Sequence, residues 1–438
     1  MSKSHFLFNN RLACLLASRG HEVTMVTQMF WSFLNNSKVC QGISSTQYYA
    51  DPNISRSEEQ HSILDRMAFS TSRFTNATLG IQIFTNLQVE SCRIVLEDVR
   101  FMRLLEQEKF DVAIAHCFSY CPMGISHELG LPVLWVSPGS YVLDYMLETT
   151  GMAYPSSYIP TSISSYSDKM TFGGRMANFL FQVFGSIVAR IPAGAHAQEH
   201  VQFEGGAPPV LSMGSDVVSI LMSGEPLLDF PRPMSNNLFY MGDMQEPVQD
   251  TEDKKWETYL SGSKNGVVLF SFGTVVDMKY CPAEMIEGFA ETLNQLHDYD
   301  VVWKFDRNLI PKNVTLKDHV LLVDWMPQRQ ILNHPKCQLF ITHGGYNSLM
   351  ESAHAGIPLL TVPLIADQYA NGQRIERLKF GLTVDKTEFS QELLTEKAKQ
   401  ILSDPSSVDE VSGTFPFAAF ASGPLWNLCY QLLVFVVE

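Results

Sequence analysis

Positive charge is scarce in this chain. Its 438 residues carry 31 Lys and Arg against 46 Asp and Glu, a formal net charge of −15. No run of basic residues interleaved with aromatics offsets that balance, so a nucleic-acid backbone would be repelled and no nucleic-acid partner is expected. The eight cysteines lack metal-ligand spacing. Cys117 and Cys121 are the nearest pair, but no second pair or histidine cluster accompanies them; packing thiols or one or two disulfides are expected, and no metal. The GxGxxG run of dinucleotide-binding sites is missing after the early strand-like segments, which argues against a dehydrogenase. The opening MSKSHFLFNNR has no apolar core of signal-peptide length, so read literally the chain is cytosolic. Phe415 to Val437 is apolar but interrupted by Pro416, Pro424, Asn427 and Gln431, with no basic residue after it; this aberrant tail is not expected to form a membrane-spanning helix.

What remains is the composition of an ordinary globular protein, 45% hydrophobic and 18% charged, on a chain long enough for two domains with full cores. Strand-like and helix-like segments alternate. In the first half Arg11 to Arg19 reads as a helix, Glu22 to Thr27 as a strand, Asp111 to Ala115 as a strand, Met123 to Leu129 as a helix and Pro132 to Val136 as a strand. Residues 52–108 read as helical and 139–205 as a mixed insert rich in aromatics and Ser, natural places for an acceptor pocket. Phe239 to Thr251, polar and carrying Gly242 and Pro247, reads as a linker. The second half repeats the alternation: strand 267–271, helix 283–296, strands 301–305 and 320–323, helix 328–332 and strand 339–342. Such alternation predicts an α/β fold with parallel, doubly wound sheets.

The segment from Trp325 to Gln368 carries the chemistry. Leu339 to Thr342 is a short apolar strand, His343-Gly344-Gly345 breaks it, and Tyr346 to Ala355 follows with helical period. Tyr346, Leu349, Met350 and Ala353 form the stripe that packs on a sheet, leaving Asn347, Ser348 and Glu351 on a polar face. A helix N-terminus opened by two glycines offers backbone N–H groups to an anion such as a pyrophosphate, and His343, Asn347 and Ser348 add donors there. Glu351 is an acceptor suited to a ribose diol. Trp325 offers a stacking face for a base whose edge Gln328 would read. Asp367 and Gln368 follow the strand Leu359 to Pro363, at the end of a strand where open α/β sheets bind ligands, and suit sugar hydroxyls. Taken singly, each feature is more often ordinary: a βα turn, or a packed tryptophan. The ligand class they fit together is a nucleotide diphosphate sugar.

In this combination Trp325, Gln328, His343, Gly344, Gly345, Asn347, Ser348, Glu351, Pro358, Pro363, Asp367 and Gln368 resemble the signature of the UDP-glycosyltransferase family in its animal, UDP-glucuronosyltransferase-like form. The resemblance implies the GT-B architecture, two facing Rossmann-like domains with a cleft between them. Here these would be 1–245 for the acceptor, apparently lacking the family's first strand, and 246–405 for the UDP-sugar, followed by the tail 406–438. It implies uracil contacts for Trp325 and Gln328, ribose contacts for Glu351, diphosphate contacts for Ser271, His343, Gly345, Asn347 and Ser348, and sugar contacts for Asp367 and Gln368. UDP-sugar is then a co-substrate, with no cofactor or metal, and the acceptor is a small lipophilic molecule. The family resemblance also implies the endoplasmic reticulum membrane or lumen, with a homo-oligomer as a compatible state. Sequons at Asn35, Asn53, Asn76 and Asn313 fit a glycoprotein of that compartment. A truncated chain reconciles that compartment with the missing leader.

Catalysis is assigned by register. His5 stands before Arg19-Gly20-His21-Glu22-Val23-Thr24 at the spacing of the family's catalytic histidine, and an imidazole suits proton abstraction at neutral pH. Many animal members place an acidic partner after the strand that here reads Phe110-Asp111-Val112-Ala113-Ile114-Ala115. This chain has His116 there, which cannot supply the negative charge, so a UDP-sugar-binding protein with weak or no catalysis is the alternative reading. Asp298-Tyr299-Asp300 spells the DxD of metal-dependent transferases, but it precedes a strand and is expected to be a solvated turn.

Overall fold

A computed structural model describes residues 3–29, 43–49, 63, 65–70, 94–117, 121–140, 146, 151–152, 154–161, 164–184, 187, 216–242, 254–274 and 276–403. Within them lie three parallel sheets. The largest has six strands, β7 (Val267–Ser271), β8 (Asp300–Lys304), β9 (Val320–Val323), β10 (Cys337–Thr342), β11 (Leu359–Thr361) and β12 (Gly381–Thr383). Their order is β12-β11-β10-β7-β8-β9. The chain therefore winds outward from β7 in one direction, returns to β10, and winds outward in the other. That reversal makes a crevice between the carboxyl ends of β7 and β10, the place where doubly wound sheets bind ligands.

Burial explains why these segments are strands. Every residue of Val267–Ser271 is buried, as expected of a central parallel strand covered by helices on both faces. Helices α4 (Lys254–Gly262), α5 (Ala283–Gln295), α6 (Gln328–Asn333), α7 (Tyr346–Ala355), α8 (Gln368–Arg377) and α9 (Gln391–Ser403) connect and cover the sheet. Phe270 is the pivot of the core. Its ring stacks on Trp303 at 5.5 Å and meets Phe272 and Phe289 edge-on at 5.0 and 5.2 Å, the offset and edge geometries that aromatic quadrupoles favour.

The first half holds a two-stranded sheet, β1 (Val23–Met29) with β2 (Ile43–Tyr49), and a four-stranded sheet in the order β3-β4-β5-β6. The latter comprises β3 (Ala113–His116), β4 (Val133–Ser137), β5 (Val217–Met222) and β6 (Leu238–Tyr240). Alternation along β4 sends Leu134 and Val136 to a cluster with Phe8, Leu12 and Leu16 of helix α1 (Lys3–Ser18). Trp135 goes to the opposite cluster with Met123, Met146 and Ile220. Both faces are thus covered, here by α1 and by α3 (Cys121–Glu128), while α2 (Val99–Glu108) lies at the side with Phe101 and Leu105 packed on Cys121.

Three readings of the sequence need correction. The first helix begins at Lys3, well before Arg11, so His5 lies inside its first turn and not ahead of it. The stretch read as a linker from Phe239 opens with strand β6, Leu238–Tyr240, which pairs with β5; residues 243–253 fall outside the described set. β11 stops at Thr361, short of Pro363. Most of 52–108 and about half of 139–205 also lie outside the described residues, although a helix spans 172–184.

Candidate functional site

The residues singled out in the second half converge on one edge of the six-stranded sheet. β7 ends at Ser271, which is paired with Thr342, the end of β10. Next to them β11 ends at Thr361 and β8 at Lys304. β9, outermost on that side, ends at Val323 and leads to Trp325 and Gln328. Read along the sheet order, the edge presents Asp367 and Gln368 after β11, then His343 to Glu351 after β10, Ser271 at β7, Lys304 at β8, and Trp325 with Gln328 after β9. The DxD falls elsewhere: Asp300 opens β8, at the opposite end of the sheet.

The turn after β10 is shaped by close approach. The His343 ring lies between two glycines; a Cβ on Gly273 would meet its Cε1 at 2.9 Å and one on Gly345 its Nε2 at 2.8 Å. Gly273 and Gly344 are also left-handed, at φ of 69° and 83°, so a side chain there would carry backbone strain as well. Burial, reinforced by the Lys304 ammonium, pulls the His343 pKa down to about 4. The imidazole is therefore neutral at physiological pH and offers at most one N–H; its Nδ1 lies 3.2 Å from the Thr342 hydroxyl.

Helix α7 begins at Tyr346 with Gly345 as its N-cap and no side chain capping its first amides. Its N–H groups and the positive end of its dipole thus face the crevice uncapped. Tyr346, Leu349, Met350 and Ala353 are buried as expected, and so is Ser348, at 7% exposure. The polar face is correspondingly narrower than the sequence suggests, with Asn347 and Glu351 half-buried. The helix ends at Gly356, left-handed at φ 69°, whose N–H returns to Ser352 and Ala353.

At one end of the edge, Trp325 is 63% exposed, a large apolar ring held open to solvent. The Lys304 ammonium sits 5.0 Å from its centroid and donates to the Gly273 carbonyl at 2.8 Å. Lys304 thus lies between the ring and the glycine turn, a position that no motif in the sequence marks. Gln328 Nε2 donates to Glu351 Oε2 at 2.6 Å, so these two side chains form one unit. Ser271 is buried and its Oγ accepts from the Gly273 N–H at 3.2 Å.

At the other end, Gln368 Oε1 accepts from the Leu364 and Ile365 N–H groups at 2.8 and 3.0 Å. Ala366, left-handed at φ 53°, turns the loop into α8. Asp367 is the N-cap of that helix, and its Oδ2 accepts from Asn371 Nδ2 at 2.9 Å. Burial raises its pKa, against the opposing pull of Asn371 and Arg374.

The two candidates in the first half differ in how far they are described. The backbone of His5 lies in the first turn of α1; its side chain is outside the described set. His116 ends β3, is 7% exposed, and meets Phe8 of α1 edge-on at a centroid distance of 6.4 Å. Phe8 is one turn along the helix from His5, so the two histidines belong to neighbouring elements. Cys14 and Cys121 take part in disulfides, while Cys117, Cys281 and Cys337 are free and buried. Burial pushes each of these three thiols up to about 12, which makes them inert packing groups.

This architecture is that of a GT-B glycosyltransferase. It superposes on the glycotransferase of kitacinnamycin with a TM-score of 0.67 and 17% identity, covering 98% of this chain and 95% of that one. For the spinosyn forosaminyltransferase SpnP the TM-score is 0.63 at 14% identity, with 99% and 96% covered. The sequence matches the family described as UDP-glucoronosyl and UDP-glucosyl transferase over residues 1–412, and the chain belongs to that family. Human UDP-glucuronosyltransferase 3A2 is 31% identical over 420 residues, 92% of this chain and 76% of the relative. Human UDP-glucuronosyltransferase 2B15 is 28% identical over 418 residues, with the same two shares.

Proposed function

We propose that the chain is an inverting transferase that moves a hexose, glucuronic acid or glucose, from a UDP-sugar to a hydroxyl of a small lipophilic acceptor. The observation that carries this reading is the order of side chains along the sheet edge. A carboxylate and an amide stand at one end, an uncapped helix N-terminus and a glycine turn in the middle, and an open aromatic face at the other end. That is the order of sugar, diphosphate and base in the donor. Trp325 stacks on uracil, Gln328 bonds its edge and Glu351 takes the ribose hydroxyls. The first amides of α7, with His343, Asn347, Ser348 and the Ser271 turn, stabilise charge on the departing diphosphate, a fixed-dipole role that needs no metal. Asp367 and Gln368 orient the sugar so that its anomeric carbon faces the first half of the chain.

There His5 takes the acceptor proton as the oxygen attacks and UDP leaves. The compartment is an oxidising one, supported by the disulfides of Cys14 and Cys121. No helix among the described residues is long and apolar enough to cross a bilayer. The test is acceptor-dependent UDP release from a panel of phenols, which His5→Ala should abolish. Unchanged release in that variant would remove His5 from the mechanism.

A second reading, donor binding with little turnover, is favoured by the placement of His116. It is buried beside the helix that carries His5, where an imidazole supplies no negative charge to an imidazolium forming nearby. On this reading the chain binds UDP but turns over slowly, and His116→Asp raises the rate by orders of magnitude. A His116→Asp rate equal to that of the unmodified chain counts against it.

A further inference from the structure

We infer that Arg374 is a positioning residue for sugar recognition, anchored by Asp229 from the other half of the chain and acting on Asp367 through Asn371. This deepens the donor reading and rests on Asp367 as a sugar contact. Asp229 follows β5 and is 3% exposed. Its Oδ2 accepts from the Tyr240 hydroxyl and from Arg232 Nη2, both at 2.6 Å. Its Oδ1 accepts from the Phe230 N–H at 2.8 Å and from Arg374 Nε and Nη2 at 3.1 and 3.0 Å. Burial disfavours its charge, but Arg232 and Arg374 outweigh that cost and hold its pKa below the usual carboxylate value.

The Arg374 guanidinium also lies over the Phe230 ring, 4.9 Å from the centroid. Fixed in this way, it has Nη1 left for the Asn371 Oδ1, at 3.0 Å. That bond decides which way the amide faces. A guanidinium only donates, so the asparagine oxygen must face it. Its nitrogen then necessarily faces the two acceptors on the far side, Asp367 Oδ2 and the Gly344 carbonyl, each at 2.9 Å. Without Arg374 the amide oxygen loses its donor, and only the two bonds of its nitrogen, to Asp367 and to the Gly344 carbonyl, hold it in place. Arg374 therefore anchors the amide that holds Asp367 and ties it to the glycine turn after β10. A second tie runs from the same upstream segment, where the Glu225 N–H donates to the Tyr346 hydroxyl at the start of α7 at 3.3 Å.

The experiment measures the affinities of UDP, UDP-glucose and UDP-glucuronic acid calorimetrically on the full chain and on Arg374→Gln, Asn371→Ala and Asp367→Ala, with melting temperatures alongside. UDP affinity should stay within about twofold in all three, since none of these three side chains is itself a base or diphosphate contact. The dissociation constant of the sugar nucleotide the chain prefers should rise about tenfold, the loss expected for one charge-assisted hydrogen bond. Equal losses for UDP and the UDP-sugar would reduce Arg374 to a structural role and overturn the inference. A tenfold effect in Asp367→Ala with none in Arg374→Gln or Asn371→Ala overturns the relay alone. No effect in Asp367→Ala overturns the sugar-contact reading beneath it. If Arg374→Gln does not fold, Asn371→Ala decides by itself, because it leaves the Asp229–Arg374 pair intact.

Discussion

Replacing Trp325 with alanine separates binding from stability more sharply than any other change at this site. The ring is 63% exposed, so its truncation opens no cavity and returns little apolar surface to water. The Lys304 ammonium at 5.0 Å from the ring is worth about 0.5–1 kcal/mol at an exposed site. The melting temperature should therefore fall by no more than about 3 °C. A base stacked on an aromatic face is worth about 1–3 kcal/mol by alanine substitution, so the dissociation constant for UDP should rise by about 5- to 150-fold. Trp325→Phe, which keeps a flat face, should recover most of that loss. Calorimetric titration of UDP into the three proteins gives the comparison. UDP binding by Trp325→Ala at wild-type strength would refute the stacking role, and a large fall in melting temperature would show that the ring packs instead.

Two further expectations follow from burial. His343 has a pKa lowered to about 4 against an ordinary 6.5, so between those values the unfolded chain binds a proton that the folded one refuses. Stability attributable to this residue is complete above pH 6.5, declines as pH falls toward 4, and amounts to about 3 kcal/mol in all; urea melts from pH 7.5 to 4.5 should show this slope in the native chain and lose it in His343→Gln. Phe270→Ala should behave oppositely to the tryptophan change. With three aromatic neighbours within 5.5 Å and 1% exposure, it should cost about 3–5 kcal/mol, read as a fall in urea midpoint, and a variant within 1 kcal/mol of the parent would contradict the core described here.

How legible each part was in the sequence depended on how local its causes are. Helix α7 was readable to the residue, Tyr346–Ala355, because Gly344-Gly345 and Gly356 punctuate it at both ends. β7 was equally plain, as a central strand buried on both faces is apolar throughout. β6 was missed because three residues pairing with β5 alone leave no pattern that distinguishes them from a linker. At the site, Asp367, Asn371 and Arg374 stand at i, i+4 and i+7, a single helix face that spacing could have revealed. Asp229 had no such signal. It lies 145 positions upstream of Arg374, and only the packing of the two halves brings it there. Lys304 offered a fainter clue, a charged residue closing a strand whose three central residues are buried.

The division of the sheet edge among separate strands has a consequence for diversification. On the donor reading, the sugar is met by the loop between β11 and α8, and the base by the loop between β9 and α6. Those loops stand on opposite sides of the β7–β10 crevice, and the Gln328–Glu351 bond joins the base loop to α7 and not to the sugar loop. A mutation that retunes one moiety need not disturb the other. Sugar preference should thus drift or be engineered by substitutions in residues 362–371 while uridine selectivity stays constant, with the glycine turn between them as the component that tolerates least change.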